Sequence, residues 1–209
     1  MEMDKTKQNI KEDYQIFCDL DGVLVDLMSG VNDAIYDEPP EDCSQRYIKA
    51  QQDAREALDG KHLTEEDTNK WSLEYKRPVR DFMNRVMSEN RDFWMNLPWI
   101  KDGDKLWSFI KDHNPIILSK PVDLQSVIGK KVWVKRNLGL NKERVQIRYD
   151  KTKYAAFNGK TGLLIDDYVK NIKAFNESGG KTIHFKSIDD ALAKLKEYGF
   201  GNTARTDHL

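Results

Sequence analysis

Residues 14–26 read YQIFCDLDGVLVD. A short apolar run delivers two aspartates, Asp19 and Asp21, one residue apart. Like charges that close repel each other. The pair is therefore either a polar turn between two strands or a site where a cation and a phosphorylated ligand meet. Aspartate followed by glycine between apolar runs is a strong hairpin signal, so this stretch alone does not decide. The rest of the chain does.

Downstream, short apolar strands alternate with amphipathic helices. Strands are predicted at 115–119, 144–149, 162–166 and 181–185, and helices at 106–113, 126–140, 169–180 and 187–199, with Ser187 as an N-cap. Such alternation predicts an α/β fold: a Rossmann-like parallel sheet with helices on both faces. Residues 20–114 separate the first strand from the second and carry mainly helical pattern. Helices are expected at 28–37, at 42–59 before Gly60, from a capping pair Thr64/Asp67 to a stop before Pro78, and at 79–88. The expected organisation is a discontinuous core of 13–27 and 98–200, a helical cap of 28–97 inserted after strand one, and flexible termini at 1–12 and 201–209. An insertion at that edge is placed to act as a lid.

Parallel sheets of this kind do chemistry at the carboxyl ends of their strands. Strand one ends in Asp19, with Asp21 just beyond. The second ends in Ser119, followed by Lys120. The strand at 162–166 ends in Asp166 and Asp167. Lys151 and Lys153 follow the strand at 144–149. Carboxylates from two strands suit magnesium, a hard cation that takes oxygen ligands and shares them with substrate phosphates. Asp19 is then the candidate nucleophile toward phosphorus, and Asp21 the candidate general acid and base. The Ser119 hydroxyl and a lysine would hold phosphate oxygens. A hairpin at Asp19–Asp21 explains none of these other residues. Residues 129–153 hold nine basic residues and two acidic ones, usually a solvated face, from which one or two charges need reach a site.

The formal net charge of −1 argues against a general nucleic-acid or anionic-membrane binder. Cys18 and Cys43 form no zinc-like spacing. No apolar run approaches a spanning length, and the charged start MEMDKTKQNIKED is unlike a secretion signal. The expectation is a cytoplasmic protein without membrane contact.

The segments DLDGVLVD, ILSKP, DKTKYA and LLIDD, in this order, resemble the four motifs of the haloacid dehalogenase (HAD) superfamily of phosphohydrolases. The resemblance spans about 14–185, apart from the insertion. It implies Asp19 as nucleophile, Asp21 as general acid/base and Ser119 as phosphate ligand. It implies magnesium held by Asp19, the backbone carbonyl of Asp21 and Asp166, with Asp167 as an additional acid. A narrower likeness is to the 5′(3′)-deoxyribonucleotidases. FWMNLPWIKDGDKLW (93–107) resembles their return from cap to core, and KKVWVKRNLG (130–139) their Lys-x-x-Trp helix. That implies Lys130 and Lys151 as phosphate-binding lysines, with Lys153 a rival to Lys151, and a nucleotide or other small phosphorylated substrate. Ser119-Lys120-Pro121 departs from their usual Thr-Ser-Pro and offers Lys120 as a further phosphate contact.

Trp71, Tyr75, Phe93 and Trp94 either stack a nucleobase or form the cap's own core. His62, His113, His184 and His208 have no partner spacing and receive no role. Two other readings stand beside a small-metabolite phosphatase: a polynucleotide-end phosphatase of the same superfamily, and a catalytically silent binding protein on the same scaffold.

Overall fold

The computed structural model describes residues 13–64, 76–90 and 92–201. They divide into two compact units. One comprises residues up to 25, 99–120 and from 142 on. The other comprises 26–98 and 121–141.

The first unit is built on a sheet. Strand β1 (Tyr14–Cys18) lies between β2 (Ile116–Ser119) and β5 (Lys160–Asp166), parallel to both. β3 (Val145–Ile147) extends the sheet beyond β2, and β6 (Lys181–His184) beyond β5, again in parallel. The two-residue β4 (Ala156–Phe157) folds back antiparallel onto the start of β5. Parallel neighbours on both sides exclude a β1 hairpin at Asp19–Asp21.

Burial on both faces explains the continuous apolar texture of these strands. On one face Phe17, Ile116, Leu118 and Leu164 pack with Phe175 from the helix Val169–Glu177. Pleat alternation sends Ile16, Cys18, Ile117, Leu163 and Ile165 to the other face, where all five are fully buried. The helices Gly103–Ile110 and Ile188–Glu197 pack on each other, and the latter also packs on β6. The fold class is thus the expected α/β sheet with helices on both faces. Ser187 caps its helix as its position predicts, its hydroxyl accepting from Asp190 N.

The second unit is helical. Its elements include Leu27–Tyr36, Gln45–Leu58, Lys76–Glu89, Phe93–Asn96 and Leu124–Leu138. Pro78 does not break a helix here. It sits in the first turn of Lys76–Glu89, where its missing N–H would have had no partner anyway. The expected start at Thr64/Asp67, and Trp71 and Tyr75, fall wholly or partly outside the described residues. Leu124–Leu138 opens with a reciprocal capping box between Asp123 and Ser126. Its Gly129 faces the Trp94 side chain so closely that a Cβ would collide with it. Trp133 donates its indole N–H to Leu97 O at 2.8 Å. Among the described residues, no helix is long and apolar enough to cross a membrane.

Candidate active site

The site is assembled in the first unit, at the carboxyl ends of β1, β2 and β5. After Cys18 the chain leaves the sheet in a tight turn. Leu20 O accepts from the N–H groups of Val23, Leu24 and Val25 at 3.1, 2.9 and 2.9 Å. Gly22 permits this turn with φ +73°. It also lies against Asp167, and any Cβ there would overlap the Asp167 carboxylate. The DG dipeptide therefore does make a turn, but one that brings the first acidic segment against the second.

Asp19 is buried, and both of its carboxylate oxygens are engaged. Oδ1 accepts from Leu20 N at 2.8 Å, and Oδ2 lies 2.6 Å from Lys151 Nζ. The same ammonium lies 2.7 Å from Asp166 Oδ2. Lys151 thus bridges the ends of β1 and β5, with 3% of its side chain exposed. Lys153 sits on the 3₁₀ turn Thr152–Tyr154 and is exposed. Of the two rival lysines, Lys151 is the one that reaches the carboxylates.

Asp166 is fully buried and saturated with donors. Oδ1 accepts from Tyr168 N at 2.9 Å and from the Asn171 amide at 3.0 Å, and Oδ2 from Lys151 and again from Asn171 at 3.0 Å. Asn171 was given no role from the sequence. Its signal was faint: an amide one helical turn past the acidic pair. Asp167 is exposed as a residue, though its carboxylate packs against Gly22. It does not cap the following helix, whose N-cap Tyr168 has no side-chain cap bond.

Single ligand oxygens of Asp19, Asp166 and Asp167 all lie within 4.8 Å of one another. The Lys151 ammonium pairs with two of these three carboxylates, and the crowding of charge shifts the groups around it. Burial would lower Lys151, but Asp19 and Asp166 outweigh it and hold its pKa above the ordinary lysine value. Burial and the charge on Asp19 raise Asp166 even with Lys151 beside it. Desolvation, then Asp19 and Asp166, push Asp167 up to about 7. An all-oxygen donor set with excess negative charge fits a hard divalent cation.

Asp21 is half-buried just beyond Asp19. Ser119 is fully buried at the end of β2, where its carbonyl accepts from Arg148 N at 2.8 Å. Lys120 beside it is exposed. Lys130 belongs to the helical unit, buried with its ammonium 4.9 Å over the Trp94 ring. Trp94 is 1% exposed and donates to Met87 O. Phe93, also buried, lines an open cavity of about 400 Å³ in the same unit.

No family model and no curated protein matches the chain. Among solved structures it is similar to a hydrolase from Streptococcus pneumoniae TIGR4 (16% identical, 87% of this chain and 97% of that chain covered, TM-score 0.48). It is similar to a HAD family hydrolase from Deinococcus radiodurans R1 with bound phosphate and sodium (15%, 88% and 96%, 0.49). A third is L-2-haloacid dehalogenase from Xanthobacter autotrophicus (15%, 90% and 83%, 0.45).

Proposed function

We propose that this chain is a HAD-type phosphomonoesterase working through an aspartyl-phosphate on Asp19, with magnesium as cofactor and a nucleotide or similar small phosphorylated metabolite as substrate. The observation that carries the reading is the Lys151 ammonium joining Asp19 to Asp166 while Asp167 completes the acidic cluster.

Asp19, Asp166 and Asp167, whose oxygens lie close together, would hold the cation with the Asp21 carbonyl. When bound, magnesium would neutralise phosphate oxygens and let the carboxylates stay ionised together. Asp19 attacks phosphorus. An O–P bond to its carboxylate forms, the ester P–O bond breaks, and protonated Asp21 gives its proton to the leaving oxygen. Asp21, now a carboxylate, takes a proton from water. That water's oxygen attacks phosphorus, releasing inorganic phosphate and restoring Asp19. The Ser119 hydroxyl and Lys151 hold phosphate oxygens and balance developing charge. Lys120, beside Ser119, is a further candidate for phosphate contact.

Two exposed aromatics support a nucleotide. Tyr149 follows β3 and Tyr168 follows β5, 70% and 49% exposed, on the edge that carries the acids. Rings so placed can stack a base.

The test is a screen of nucleoside monophosphates and sugar phosphates with magnesium, alongside an oligonucleotide 3′-phosphate. Hydrolysis of a mononucleotide that disappears in Asp19→Asn supports the reading. Undiminished turnover in that variant ends it, and preference for the oligonucleotide moves the substrate to polynucleotide ends.

A further inference from the structure

One member of the acidic cluster lies beyond the last strand-paired residue of β5. Asp19 is tied to Leu20 N and Lys151, and Asp166 to Lys151, Asn171 and Tyr168 N. Asp167 stands past the end of β5, in the short link to the helix Val169–Glu177, where no strand partner fixes its backbone. A side-chain contact does. His184 Nε2 lies 3.0 Å from Asp167 O.

Register explains why this histidine can reach. His184 pairs with Asp166 across β5 and β6, and Phe185 N donates to Asp166 O at 2.9 Å. The backbone bond thus holds residue 166, and the ring extends one residue further, to 167. A carbonyl oxygen only accepts, so Nε2 must carry the hydrogen. With Gly22 packed against the carboxylate, Asp167 is held at both ends: its peptide by His184 and its side chain by the turn after Asp19.

We infer that His184 is a positioning residue for the cation site: by donating to the Asp167 carbonyl it aims the Asp167 carboxylate at the position shared with Asp19. It touches neither substrate nor phosphate, and acts only through Asp167. Groups that orient metal ligands commonly change metal affinity by about 10–100-fold when removed. The inference rests on the magnesium-dependent reading above, and goes beyond it by assigning the residue that sets the ligand's geometry.

The experiment titrates magnesium calorimetrically into the wild-type chain, His184→Ala and His184→Gln, without substrate. Glutamine offers an amide N–H in place of Nε2–H. The expected result is magnesium affinity about 10–100-fold weaker in His184→Ala and largely restored in His184→Gln. At saturating magnesium, His184→Ala should regain most of its kcat with substrate KM unchanged. Unchanged affinity in His184→Ala overturns the inference, as does equal weakening in both variants, which would mean that ring packing matters and the donor does not. Failure of the wild-type chain to bind magnesium removes the magnesium reading itself, an outcome distinct from wild-type binding with no effect at residue 184.

Discussion

The Lys151 ammonium stands 2.6 Å from Asp19 Oδ2 and 2.7 Å from Asp166 Oδ2, so one buried cation ties together the ends of two parallel strands. Removing it takes away the ammonium that both buried carboxylates share. Breaking a buried ion pair from one side costs about 3–5 kcal/mol. Lys151→Met should therefore lower metal-free stability by about that much in urea denaturation. Magnesium should stabilise the variant more than it stabilises the wild-type chain, since the cation takes over part of the lost neutralisation. A variant as stable as the wild type without metal would show that these carboxylates are not charged together in the folded state.

Gly22 couples the first acidic segment to the second. Its φ of +73° disfavours any side chain, and a Cβ would overlap the Asp167 carboxylate. Gly22→Ala should cost about 1–2 kcal/mol for the left-handed backbone, read by urea denaturation. Because the clash falls on a carboxylate of the proposed cation site, the proposed phosphatase activity at limiting magnesium should fall further than the stability loss accounts for. Full activity at limiting magnesium would mean that Asp167 can move aside without consequence.

The two thiols should separate cleanly by reactivity. Cys18 lies fully buried behind Asp19, and burial, then the Asp19 charge, push its thiol well above the ordinary range. Cys43 is partly exposed. A thiolate is the reacting species, so a disulfide reagent should modify Cys43 in the folded chain and reach Cys18 only after denaturation. Rapid modification of Cys18 in the native chain would show that the sheet opens at β1 far more readily than its burial implies.

Much of this site was legible because strand ends are legible. An apolar run that stops at an acid or hydroxyl places Asp19, Ser119 and Asp166 at one edge without any coordinates. What was hidden depends on turns and register. Spacing leaves Lys153 a rival to Lys151, and only the 3₁₀ turn at 152–154 turns one inward and leaves the other in solvent. Alternation predicted a strand over 144–149, yet only Val145–Ile147 forms. Arg144 instead turns its guanidinium to Pro115 O at 3.0 and 2.9 Å, and the chain departs after Arg148 N bonds Ser119 O. The contact of His184 with Asp167 was invisible because it depends on which residue of β5 the ring stands beside, and register is not written in a four-residue strand.

The helical unit offers a test of a different kind, a side chain that replaces missing backbone pairing. Asn32 is buried on the helix Leu27–Tyr36. Its amide donates to Leu63 O at 3.0 Å, and its carbonyl accepts from Leu63 N at 2.8 Å. Both backbone groups of Leu63 are thereby satisfied by one side chain from thirty-one positions earlier. Asn32→Ala would strand a buried donor and a buried acceptor, at about 1–3 kcal/mol for each group left unsatisfied. Asn32→Leu separates the two possible origins of the loss. It refills the volume but offers no hydrogen bond, so it should remain nearly as destabilised as Asn32→Ala in urea denaturation. Recovery of wild-type stability in Asn32→Leu would mean that packing, and not the paired hydrogen bonds, holds residue 63 against the helix.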